Sequence, residues 1–104
     1  MIENGSVGMY LYGVGTTDLE EGTMLDGNIF RNFYYMGCYN YYQFEMIERN
    51  NEVYSNTTYT SAYGMYHVYA NGYMEFTGNH IHYVEGGNGC YMGAYFSSCT
   101  GANL

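Results

Sequence analysis

The chain has 104 residues, among them sixteen Tyr and fifteen Gly, with no Pro, no Trp, only two basic residues and a formal charge of -8. Aromatics at 20% exclude a disordered chain, and a chain of this size buries roughly two-thirds of its unfolded surface, enough for one core without cross-links. Because Arg31 and Arg49 are the only bases, neutralising nucleic-acid phosphates or anionic lipid is excluded as a binding principle, and the charge favours a cationic partner.

Residues 1–104 read as a single domain, with no linker-like segment. Met1 to Ser6 lacks both a basic region and an apolar run, so no signal peptide is expected. No segment approaches the roughly 18 apolar residues of a membrane helix, and the compartment is left open. Val7 to Val14 and Ile29 to Gly37 read as strands. Between them Thr17 to Gly22 fits one helical turn, with Thr17 as cap and Glu20 at its third position.

From residue 43 onward the pattern predicts hairpins. Asn50-Asn51, Asn71-Gly72, Gly78-Asn79 and Asn88-Gly89 are pairs that suit two-residue turns with positive φ. Those turns set Met46 against Ser55, His67 against Phe76, Glu75 against His82 and Tyr83 against Ala94. Arg49 and Glu52 then form an ion pair across the first turn. Since side chains alternate between faces, one face collects Met46, Tyr63, Met65, His67, Met74, Phe76, Ile81, Tyr83 and Phe96. The other collects Glu45, Tyr66, Glu75, His80, His82 and Tyr95. The span Val53 to Ala70 is too long for one flat strand, and Gly64 is its expected bend.

The expected fold is therefore all-β: a single small antiparallel meander of about six to eight strands, forming a curved sheet or small β-barrel, with a two-layer sandwich as the alternative. The spacing from Gly72-Tyr73 to Ile81 resembles hairpins of lipocalin-like small barrels, although it identifies no family. No internal repeat stands out.

Catalytic parts are missing. There is no Lys for a Schiff base, no G-x-S-x-G and no phosphate-binding loop. Cys38, Cys90 and Cys99 are odd in number, lack a C-x-x-C pair and read as free buried thiols, with one disulfide plus a spare thiol as the alternative. No catalytic residue and no cofactor are expected, and the protein reads as a non-enzyme. His80 and His82, one residue apart on a strand, share a face. They read as the polar side of a hairpin beside Glu75 and Tyr95, and no metal is expected there. His67, with Tyr63 and Tyr83, is the candidate lining of a barrel cavity.

The surplus of tyrosines carries the functional expectation. Tyr66, Tyr73, Tyr91 and Tyr95, with Glu45, Glu48, Glu75, His80 and His82, form an acidic, Tyr-rich outer surface suited to a protein partner, by preference a cationic one. A viral or mobile-element inhibitor occupying a basic nucleic-acid-binding protein is the specific form of that reading. The alternatives are a self-assembling structural subunit, through unguarded strand edges that allow homo-oligomers or fibres, and a small-ligand carrier.

Overall fold

Short runs rich in Tyr, Val, Ile and Phe, separated by residues that tolerate a left-handed backbone, decide the local structure. In the computed structural model, which describes residues 1–59, 61–83 and 92–100, these runs form β1 (Ile2–Glu3), β2 (Val7–Tyr12), β3 (Glu20–Glu21), β4 (Met24–Asp26), β5 (Ile29–Arg31) and β6 (Met36–Phe44). They continue as β7 (Ile47–Arg49), β8 (Glu52–Ser55), β9 (Tyr63–Asn71), β10 (Glu75–Thr77), β11 (His80–Tyr83) and β12 (Met92–Ser97). Of the Tyr83 and Met92 side chains nothing is described. The Asn88-Gly89 turn, Cys90 and Tyr91 lie outside the described residues.

Every pairing between these strands is parallel. The strands sort into three sheets: β1-β5-β8-β11, β10-β7-β4 and β12-β9-β6-β2, with β3 also paired to β6. Successive turns of the chain lay one strand on each side of a three-sided coil, and each coil stacks on the next. The protein is a parallel β-solenoid.

The all-β expectation holds, but the antiparallel meander, the β-barrel, the curved sheet and the sandwich are all overturned. So is the likeness to lipocalin-type hairpins. The cause is that a hairpin tip and a solenoid corner ask for the same residue. Asn50 (φ 55°), Gly72 (φ 78°) and Gly78 (φ 62°) do adopt the left-handed conformation the turns required. They bend the chain onto the next side of the coil instead of returning it along the strand just left. Asn50-Asn51 links β7 to β8, which pair with β4 and β5 one coil earlier. Arg49 accordingly reaches Asp26 on β4, at 2.9 Å, and not Glu52. The helical turn expected at Thr17 to Gly22 is also absent. Gly15 and Asp18 form an isolated antiparallel bridge around a tight turn, followed by strand β3.

One corner is held by an asparagine ladder. Gly27, Asn50 and Gly78 are all left-handed, and each precedes an Asn on successive coils: Asn28, Asn51 and Asn79. The Asn51 side-chain oxygen accepts from the Asn28 backbone N–H at 2.9 Å and from its amide at 3.2 Å. Its Nδ2 donates to the Leu25 carbonyl and to Asn79 Oδ1, both at 2.9 Å. Asn51 is buried, so these bonds replace the water the corner cannot reach. Asn51→Ala should therefore lower stability by about 3 kcal/mol. A shift in the urea midpoint at unchanged slope measures this, and a shift under 0.5 kcal/mol rules the ladder out as a structural element.

The interior is built from stacked columns. Ile2, Phe30, Val53 and Ile81 stack from the first sheet, and Met9, Cys38, Met65 and Ala94 from the third. The expected inward residues Met46, Met65, His67 and Met74 are buried, with Phe76, Ile81 and Phe96 packed against them. Alternation was readable even where pairing was not. At the entrance to the third sheet Gly8, Gly37, Gly64 and Gly93 fall at matching positions of the four stacked strands. Each opens a Gly-x-Tyr triplet: Gly8-Met9-Tyr10, Gly37-Cys38-Tyr39, Gly64-Met65-Tyr66 and Gly93-Ala94-Tyr95. This is an internal repeat with one copy per coil, where the sequence reading expects none.

Candidate functional site

In-register parallel strands lie about 4.8 Å apart, so a residue type repeated once per coil stands directly above its own copy. On the outer side of β2, β6, β9 and β12 this builds the column Tyr10, Tyr39, Tyr66, Tyr95. Successive ring centroids lie 4.8, 5.1 and 4.6 Å apart. Beside it Tyr12 stacks on Tyr41 at 5.0 Å. Tyr42 and Tyr69 are left-handed, with φ of 59° and 53°. This breaks the alternation, and Tyr42 joins the face edge-on to Tyr41 at 4.2 Å while stacking on Tyr69 at 5.5 Å. Tyr63 closes the other border, edge-on to Tyr66 at 4.9 Å and to Tyr95 at 5.8 Å.

The rings pack against one another while keeping one side in solvent. Tyr10 and Tyr12 are more than half exposed. Burial, then neighbouring hydroxyls, pushes the Tyr39 hydroxyl up to about 12. A hydrogen bond to Tyr41, with burial, raises Tyr42 to about 12, and burial raises Tyr66. These phenols are therefore neutral at physiological pH. The negative charge of this side comes from Glu20 and Glu21 on β3, which pair with Gln43 and Phe44, and from the exposed Glu45 that follows β6.

A second cluster lies on the first sheet. In the parallel register His80 sits beside Glu52 and His82 beside Tyr54. His82 Nε2 lies 3.0 Å from Glu52 Oε1, and the two histidine rings stack with centroids 4.5 Å apart. Tyr54 stacks on His82 at 4.8 Å. The expected neighbours are elsewhere. Glu75 pairs with Ile47 in the β10-β7-β4 sheet and accepts a bond from Thr77, and Tyr95 belongs to the tyrosine face. Parallel pairing replaces Glu75 by Glu52 as the carboxylate beside the histidines.

The third group is buried. Leu25, Glu48 and Phe76 form the inward column of the β10-β7-β4 sheet, and across from it stand Asn40 and His67. Asn40 donates to Glu48 Oε1 at 2.7 Å, and His67 Nε2 lies 2.5 Å from Glu48 Oε2. The Cys38 thiol donates to Asn40 Oδ1 at 3.3 Å. Burial, with the Glu48 charge, raises Cys38 well above the usual thiol range, which keeps it a donor and a poor nucleophile. His67 Nδ1 faces the Tyr95 carbonyl at 3.1 Å, and its ring is stacked on Phe96 at 4.3 Å and edge-on to Phe76 at 5.7 Å. Cys38, Asn40, Glu48 and His67 are all fully buried.

Glu48 is thus not part of an outer surface, because the corners around β7 turn it inward. His67 is packed between aromatic rings rather than lining a barrel cavity. Two surface depressions among the described residues, of about 360 Å³ beside Ser6 and Asn32 and about 270 Å³ beside Thr17 and Phe44, contain neither His67 nor Tyr63. Tyr73 is 76% exposed at the corner after Gly72, apart from the tyrosine face, and Tyr91 lies outside the described residues. Cys38 and Cys99 are free thiols. Sequence reasoning missed Tyr10, Tyr12, Glu52 and Asn40. The Gly-x-Tyr repeat was the signal for the first of these, since it sets the coil register.

These features define a small parallel β-solenoid with a tyrosine ladder along one side. No protein-family model, curated protein or solved structure gives a significant match to the chain.

Proposed function

We propose that this protein is a non-catalytic binding module whose tyrosine face engages a protein partner rich in Arg and Lys. The observation that carries this reading is the continuous column Tyr10–Tyr39–Tyr66–Tyr95. Stacked phenols provide area that loses little side-chain entropy on binding. Guanidinium and ammonium groups settle over such rings, and the charge of -8 draws them in. Glu20, Glu21 and Glu45 at one end of the ladder supply carboxylates for the partner's remaining cations. A basic nucleic-acid-binding protein is the narrower form of the reading, and the charge alone favours it.

A deca-arginine peptide titrated into the protein by calorimetry is the test. Wild type should bind, and Tyr39→Ala with Tyr66→Ala should weaken binding by about tenfold or more while the far-ultraviolet spectrum stays unchanged. Removing distant charge through Glu3→Gln should change affinity little. If the Tyr variant binds as wild type does, attraction to net charge explains the binding and the ladder has no part in it.

A second reading, end-to-end self-assembly, is favoured by one observation. The outermost strands of the third sheet, β2 and β12, carry the same columns. Gly93 and Tyr95 of one copy meet the pattern of Gly8 and Tyr10 of another, which continues both ladders. Light scattering across a dilution series separates this from the monomeric module.

A further inference from the structure

Sheet pairing brings together three ligand-bearing side chains that the chain keeps apart. Glu52 lies on β8, and His80 and His82 on β11. One ligand atom from each lies within 4.8 Å of the other two. Two rigid paired strands carry them, and residues i and i+2 of β11 present both imidazoles on one side. We propose that Glu52, His80 and His82 form a three-ligand site for a borderline divalent transition-metal ion, with Zn2+ as the reference ion.

The ligand set supports this class of ion. Donors at ordinary zinc distances of about 2.0–2.2 Å stand about 3.4 Å from each other around a tetrahedral ion. His82 Nε2 and Glu52 Oε1 are already at 3.0 Å. The His80 ring lies against that of His82, so a rotamer adjustment by the exposed His80 completes the set. The Tyr54 ring stacked on His82 at an interplanar angle of 20° holds that imidazole in place. Two imidazole nitrogens and one carboxylate suit Zn2+, Cu2+ or Ni2+ and are a poor match for Ca2+ or Mg2+, which take oxygen ligands. Three protein ligands leave a tetrahedral position for water or an outside donor. The cluster lies on the β1-β5-β8-β11 sheet and does not depend on the role of the tyrosine face.

The test uses the full chain and Zn2+ alone, by calorimetry. One equivalent should bind, and His80→Gln, His82→Gln and Glu52→Gln should each weaken it by about tenfold or more with unchanged circular dichroism. Zn2+ should raise the melting temperature of wild type and not of the His80→Gln/His82→Gln variant, as binding to the folded state alone requires. Co2+ should give visible absorption of a nitrogen- and oxygen-ligated ion. Four results overturn the site. These are no saturable binding, full affinity in the double variant, a thiolate-to-Co2+ charge-transfer band, and competition by Ca2+ as effective as by Zn2+.

Discussion

Replacing Gly64 by Ala is expected to unfold the protein or bring it close to unfolding. A Cβ at this position meets the Gly93 carbonyl oxygen at 2.4 Å and Ile81 Cγ2 at 2.8 Å. The first contact is with backbone. It cannot be relieved by a rotamer change, and the coil spacing set by the parallel ladder leaves the carbonyl nowhere to go. The same clash recurs along the column, from Gly8 onto the Gly37 oxygen at 2.4 Å and from Gly37 onto the Gly64 oxygen at 2.5 Å. The missing side chains let each coil settle on the next, and they make room for Val53 and Ile81 to point inward. Overpacking of this kind costs about 3 kcal/mol or more, a large share of the roughly 5–15 kcal/mol that holds a domain together. A drop of at least about 15 °C in the thermal midpoint follows. Gly15→Ala is the control, because a Cβ there meets nothing within 4 Å, and it should stay within about 0.5 kcal/mol of wild type. If the two variants melt together, the coils do not stack as described.

Glu48→Ala should cost about 3–5 kcal/mol. Glu48 and His67 are both fully buried, and Glu48 answers two donors at once, the Asn40 amide and the His67 ring. The Tyr95 carbonyl can only accept, so His67 Nδ1 carries a proton. One further proton lies between Nε2 and Glu48 Oε2, and the pair as a whole is neutral. That neutrality lets it exist in a dry core, where a lone charge is expensive. Removing the carboxylate leaves the Asn40 and His67 nitrogens without partners and opens a void. Glu48→Gln keeps the volume, accepts from Asn40 through its oxygen and donates to a neutral His67 through its amide. It should therefore recover most of the loss, to within about 1.5 kcal/mol of wild type. Urea unfolding of the three proteins decides it. A Gln variant as unstable as the Ala variant would falsify the hydrogen-bond account and leave ionic attraction as the dominant contribution.

The sequence and the structure agree where the cause is local. Met65, His67 and Met74 are buried as alternation requires, and Asn50, Gly72 and Gly78 have the positive φ that their chemistry allows. His80 and His82 share a face because they are two residues apart on a strand. They disagree where the cause lies one coil away. A hairpin at Gly78-Asn79 places Glu75 beside His82, whereas His82 bonds Glu52, thirty residues distant along the chain. Glu48 looked like a surface acid among Glu45 and Glu52. Its burial depends on Asn40 and His67 being brought across the coil to receive it. The tyrosine ladder was legible in part, as an excess of phenols on one face, but its order followed from a Gly-x-Tyr repeat whose copies are separated by most of a coil.

What the sequence by itself determined, then, was the all-β content, the inward positions of Met65, His67, Phe76, Ile81 and Phe96, and the left-handed corners at Asn50, Gly72 and Gly78. The tertiary structure alone decided that the strands pair in parallel, that four tyrosines stand in one column and that Glu52 meets two histidines. The physical reason is one of range. Backbone preference and side-chain alternation are properties of a residue and its immediate neighbours. A corner residue with positive φ is equally satisfied at a hairpin tip or a solenoid bend. Only the stacking of whole coils, through the glycine column, the asparagine ladder and the buried Glu48–His67 pair, separates the two.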